Sequence, residues 1–164
     1  MFVRDIMSRE PTLIAPEDTL MHARNLMKRE RVRHLLVGRD GRLEGIITDR
    51  DIRDYLLKIR HDPSQHDLHD QVDAVHVDHV MKHLPVSTTP EDTVQHVAHS
   101  MLVHGIGCLP VVSEDRIVGV VTTSDVLRAV AAGTLVESDL SERVPEQSVA
   151  PNGRARRAAG LPSS

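Results

Sequence analysis

The heptapeptide GIITDRD, from Gly45 to Asp51, returns 74 residues later as GVVTTSD, from Gly119 to Asp125. Working outward at that offset, Ile6-Met7 falls on Val80-Met81 and Pro11 on Pro85. The string PEDT recurs at Pro16–Thr19 and Pro90–Thr93. His22 meets His96, Met27 meets Met101, Leu35 meets Leu109, Val37 meets Val111 and Arg42 meets Arg116. One register holds without a gap from Ile6 to Asp51, so the chain carries two copies of one unit. The copies are expected at residues 3–60 and 77–133, joined by a linker at 61–76. Residues 134–164 are expected to form a disordered or loosely attached C-terminal tail.

Each copy reads as strand, helix, strand, strand, helix. In the first, Thr12–Ile14 is a short strand. Leu20, Ala23, Leu26 and Met27 then recur at helical spacing, behind Asp18 or Thr19 as cap. Leu35–Val37 and Leu43–Ile47 flank Asp40-Gly41, a hairpin signal. A last helix starts near Thr48 or Asp49 and carries Ile52, Tyr55, Leu56 and Ile59. The second copy offers Val86–Thr88, then Val94, Val97, Ala98 and Met101 on a helix. Leu109–Val112 and Ile117–Val121 turn at Glu114-Asp115, before Val126, Leu127 and Val130. The fold class is α+β. A sixty-residue unit buries too little surface to be robust alone. Two units packed sheet to sheet share one core with pseudo-twofold symmetry.

Composition narrows the function classes. The 164 residues carry a formal net charge of −4, and Phe2 and Tyr55 are the only aromatic residues. A flat ligand would therefore lie between aliphatic side chains. The body of the chain has neither the basic patch nor the aromatic platform of a nucleic-acid binder. Arg154, Arg156 and Arg157 cluster only in the tail. Cys108 is the single cysteine, which excludes an internal disulfide and fits a reducing compartment. With no long apolar run and no secretory leader, the expectation is a cytoplasmic protein without a membrane segment.

The repeated heptapeptide carries the chemistry. Thr and Asp at i and i+3 project from the first turn of a helix onto one side. The free N–H groups and positive dipole end lie there as well. The carboxylate can accept two hydrogen bonds from a vicinal diol such as ribose, and the hydroxyl can donate to a phosphate or ribose oxygen. The same spacing also suits a helix capping box. Its occurrence in both copies favours binding.

The repeat, the paired GhhTxxD motifs (h, an aliphatic residue), PEDT, and the strings VRHLLV and IGCLPVV together resemble a tandem pair of cystathionine-β-synthase (CBS) domains over residues 3–133. The resemblance implies a disc-like module of two β-α-β-β-α repeats, often paired as a homodimer. It also implies two clefts for AMP, ADP, ATP, S-adenosylmethionine or related ligands. One cleft would combine Thr122 and Asp125 with Ile14, Ala15, Arg33 and His34 of the other repeat. Its mate would combine Thr48 and Asp51 with Thr88, Thr89, Gly107 and Cys108. The guanidinium and imidazole of the first suit a phosphate. The second has no charge at Gly107-Cys108, with Arg50 as partial compensation. Leu36 departs from the proline the family often has and the second copy keeps as Pro110.

The implied function is regulatory. An adenosyl ligand shifts the repeats or the dimer, and an effector protein reads the change. No cofactor is required. Two other classes compete. One is metal binding through the eleven histidines, including His61, His66 and His69. His76, His79 and His83 would share a face if helical, with Asp73 nearby; His96 and His99 form another i, i+3 pair. The other is a structural dimerisation module with degenerate clefts. Catalysis has little support. No nucleophile elbow, P-loop or His-Glu-x-x-His is present, and Cys108 opens an apolar strand. Met7, Met27, Met81 and Met101 are expected in the core.

Overall fold

The computed structural model describes residues 1–60 and 74–133. The first repeat consists of β1 (Leu13–Ile14), α1 (Leu20–Glu30), β2 (His34–Arg39), β3 (Arg42–Thr48) and α2 (Asp49–Arg60). A 3-10 turn at Val77–His79 and strand β4 (Lys82–His83) lead into the second. There follow α3 (Val94–His104), β5 (Cys108–Ser113), β6 (Arg116–Thr122) and α4 (Thr123–Ala131). Another 3-10 turn, Val3–Asp5, precedes the first repeat. Among the described residues no helix is long and apolar enough to cross a membrane.

Capping follows the chemistry of PEDT. The Thr19 hydroxyl accepts the His22 N–H, and Thr93 accepts that of His96. The preceding aspartates close the turn ahead of the cap: Asp18 accepts from the Ala15 N–H and Asp92 from the Thr89 N–H. Both hairpins turn through two left-handed residues, Asp40-Gly41 and Glu114-Asp115. Leu20, Ala23, Leu26 and Met27 are all buried, as the helical spacing requires. In α4, however, Ala129 is buried and Val126 partly so, while Leu127 and Val130 are 61% and 54% exposed.

The first sheet runs β1-β2-β3-β4. The second has β5 and β6 as its named strands, with Thr88 bridging Val111 in parallel and Ser8 bridging Val120 in antiparallel. Val86–Thr88 therefore contracts to a single bridge. The cause is Pro110. In the first repeat the Leu36 N–H donates to the Thr12 carbonyl and extends β1. Pro110 stands at the equivalent place and has no N–H to give. Leu36, Ile46 and Val120 pack together between the sheets, with Leu43, Cys108 and Ile117 around them.

The leader of each repeat crosses to the other. The Val3 N–H donates to the Asp92 carbonyl, and Val3, Ile6 and Met7 pack into the core of the second repeat. The Val77 N–H donates to Asp18, and Val77, Val80 and Met81 pack into the first. This exchange explains the glycine that opens each heptapeptide. A Cβ on Gly45 would stand 2.6 Å from Met81 Sδ and 2.9 Å from the Lys82 carbonyl oxygen. One on Gly119 would stand 2.7 Å from the Ser8 carbonyl oxygen. The crossing leader leaves room for hydrogen alone.

Candidate nucleotide clefts

The strand-to-helix turn places both heptapeptides alike. Asp51 Oδ2 accepts the Thr48 N–H at 2.9 Å and the Thr48 hydroxyl at 2.5 Å. Asp125 Oδ2 accepts the corresponding Thr122 groups at 2.8 and 2.6 Å. The capping box is thus formed in both repeats. It consumes one oxygen of each carboxylate. The other, Oδ1, faces a cation: Lys82 Nζ at 3.6 Å from Asp51, and Arg128 Nη1 at 2.8 Å from Asp125. An ionised carboxylate has about four acceptor positions, so capping and ligand recognition are compatible. Neither Lys82 nor Arg128 emerges from the repeat comparison. Their equivalents are Ser8 and Asp54, so matching the copies conceals them.

His34 joins the repeats electrostatically. It pairs with Thr48 across β2 and β3, yet the carboxylate acting on it is Asp125 of the other repeat. Burial pushes its pKa below the ordinary value of 6.5, and Asp125 partly opposes the shift. Arg33 is exposed just before β2, its carbonyl accepting the Asp49 N–H, and its side chain enters no ion pair among the described residues. Gly107 sits equivalently, its carbonyl accepting from Thr123. Arg50 is exposed on the first turn of α2.

Other expected ligand residues have structural duties. The Ile14 side chain lies in the first core with Leu20 and Val37, leaving only backbone to a ligand. The Ala15 N–H is taken by Asp18. The Thr88 hydroxyl donates to Asp92, which also takes the Thr89 N–H. Those bonds, led by the Thr89 backbone, hold the Asp92 carboxyl below its usual range. Thr88 also lines a cavity of about 320 Å³ beside α3, with Ser87, His96, His99 and Val103. None of the heptapeptide residues borders that cavity. Cys108, expected beside Asp51, has Asp125 as the carboxylate acting on its thiol. Burial, then that carboxylate, pushes the thiol up to about 12, so it stays protonated at neutral pH.

The histidines do not assemble as a helical face. His76 precedes a 3-10 turn and His83 lies on β4, so the i, i+3, i+7 spacing is not on one helix. His76 and His79 stack at 6.0 Å between centroids. Among the described residues no group of three or more His, Cys, Asp or Glu side chains could hold a metal ion. His61, His66, His69 and Asp73 lie outside the described residues.

Two interlocked β-α-β-β-α repeats with a Thr-x-x-Asp turn in each define a paired-repeat module. The CBS domain profile matches residues 3–58 and 77–132, and the chain belongs to the CBS domain family. It is 30% identical over 123 residues to the CBS domain-containing protein YhcV of Bacillus subtilis, covering 75% of this chain and 81% of that one. It is 31% identical over 129 residues to a homoserine O-acetyltransferase of Methanosarcina acetivorans, where the match spans 77% of this chain and 21% of the enzyme. Among solved structures, the CBS domain pair of protein MJ0100, in complex with 5′-methylthioadenosine and S-adenosylmethionine, superposes with a TM-score of 0.69. Its identity is 26%, covering 81% of this chain and 98% of that one.

Proposed function

We propose that this chain is a regulatory sensor of adenosine ligands, without catalytic activity of its own, acting on a partner protein. The observation that supports the reading is the Thr122–Asp125 turn, whose capping aspartate presents Oδ1 to the exposed Arg128 and whose charge acts on His34 across the repeat boundary. The similar pair from MJ0100, which holds two adenosyl ligands, supports the ligand class. Arg33 and His34 favour a phosphorylated ligand at the Thr122 and Asp125 cleft. The Thr48 and Asp51 cleft is the weaker site, or the one for a less charged ligand. Binding regulates by favouring one arrangement of the repeats over another, which requires different affinities for the two.

A homodimer fits the same reading. Leu102, Val103, Leu127 and Val130 are exposed on the second repeat's helices, where the first has Lys28, Arg29, Arg53 and Leu56.

The test is a thermal-shift screen with AMP, ADP, ATP, S-adenosylmethionine and 5′-methylthioadenosine. A ligand that binds only the folded state raises its apparent stability. Asp125→Asn is the informative variant, because asparagine can still cap the helix while losing the charge. A shift in the wild type that is lost in Asp125→Asn supports the sensor. No shift with any ligand refutes it.

A further inference from the structure

Each heptapeptide aspartate keeps a cation beside the oxygen its cap leaves over, and the two cations come from non-equivalent places. Arg128 stands three residues after Asp125 in the same helix. Three residues after Asp51 stands Asp54, which offers no positive charge. The cation there is Lys82, on the strand that the second repeat's leader lays against β3. The equivalent residue of the first leader is Ser8, which bridges Val120 without a charge. Each repeat therefore lacks the cation position that the other uses.

Exposure indicates what these pairs do. The Asp51 and Asp125 side chains are only 14% and 15% exposed, so an unpartnered charge there is costly. Lys82 and Arg128 are 62% and 74% exposed, and ion pairs that open contribute about 0–1 kcal/mol. Such a cation neutralises the carboxylate yet is displaced easily. A ribose diol brings two O–H donors to the same oxygen. A displaced ammonium or guanidinium would stay tethered to β4 or α4, free to meet another anion.

We propose that Lys82 and Arg128 are exchangeable counter-ions and specificity-determining residues. Each neutralises its aspartate in the empty cleft and transfers to the phosphate when a nucleotide's ribose takes the carboxylate. This rests on the reading of the clefts as adenosine-nucleotide sites. It also gives the Asp51 cleft a phosphate-binding cation in place of the charges missing at Gly107 and Cys108.

The exchange demands opposite effects on ligands with and without phosphate. The full chain is titrated with AMP and with adenosine, and NMR follows the Thr48 and Thr122 amides as reporters of the two clefts. Arg128→Gln should weaken AMP at the Thr122 cleft by about tenfold, the worth of one charge-assisted hydrogen bond. It should strengthen adenosine there by about two- to fivefold, because a competitor has gone. Lys82→Gln should do the same at the Thr48 cleft. Changes of the same sign for both ligands, or no change, overturn the exchange alone. If neither ligand moves either amide in the wild type, the nucleotide reading falls and the exchange falls with it.

Discussion

His34 is half-buried at the start of β2, and its lowered pKa fixes the sign of a pH effect. The unfolded chain takes up a proton at His34 as pH falls through about 6.5, whereas the folded protein does so only at lower pH. Stability contributed by neutral His34 is therefore complete above that point. It declines below 6.5 until the folded pKa is passed. Urea midpoints of the wild type and His34→Gln, compared from pH 8 to pH 5, should diverge, the wild type losing more. Parallel curves would contradict the lowered pKa of His34. The Thr-x-x-Asp turns were legible in the sequence because capping depends on local spacing. Lys82 and Arg128 were not legible. Each meets its aspartate through geometry that the other repeat does not share, so matching the copies could not reveal them.

At the scale of elements, hairpins and helices follow from short-range signals. Asp40-Gly41 and Glu114-Asp115 turn where the strands end, and the threonines of PEDT cap both helices. Val86–Thr88 has the apolar character of a strand yet forms a single bridge, since apolar character says nothing about whether the neighbouring strand has a donor to offer. The signal was Pro110, which withdraws that donor. His76–His83 was readable as a helix by spacing, but a 3-10 turn and an edge strand intervene. The heptapeptide glycines yield an element-level prediction. In Gly119→Ala the new methyl meets the Ser8 backbone, which cannot rotate away like a side chain. The variant should lose about 1–3 kcal/mol by overpacking, measured by urea denaturation. A loss within experimental error would show that the leader does not cross there.

For the whole molecule, self-comparison finds which residues are alike and leaves open which are neighbours. The expected boundaries assign Val3 to the first repeat and Val77 to the second, while each side chain lies in the core of the other. The repeats therefore complete one another, and neither holds its full core alone. Val3→Ala should cost about 2 kcal/mol. Its effect on hydrogen exchange should concentrate in α3 and β5, whose Val97, Met101 and Leu109 share the Val3 cluster, while α1 and β2 stay protected. Loss of protection in α1 and β2 instead would contradict the exchange. The same interlock would give the proposed sensor its lever. A ligand bridging His34 and Asp125, as proposed, would touch both repeats, and each repeat is already tied to the other's leader.

The most direct test of this account is calorimetric titration of AMP into the wild type and into Asp125→Asn and Asp51→Asn. The account predicts a tighter site that vanishes with Asp125→Asn and persists in Asp51→Asn. AMP binding that survives unchanged in both variants, or is absent from the wild type, would contradict it.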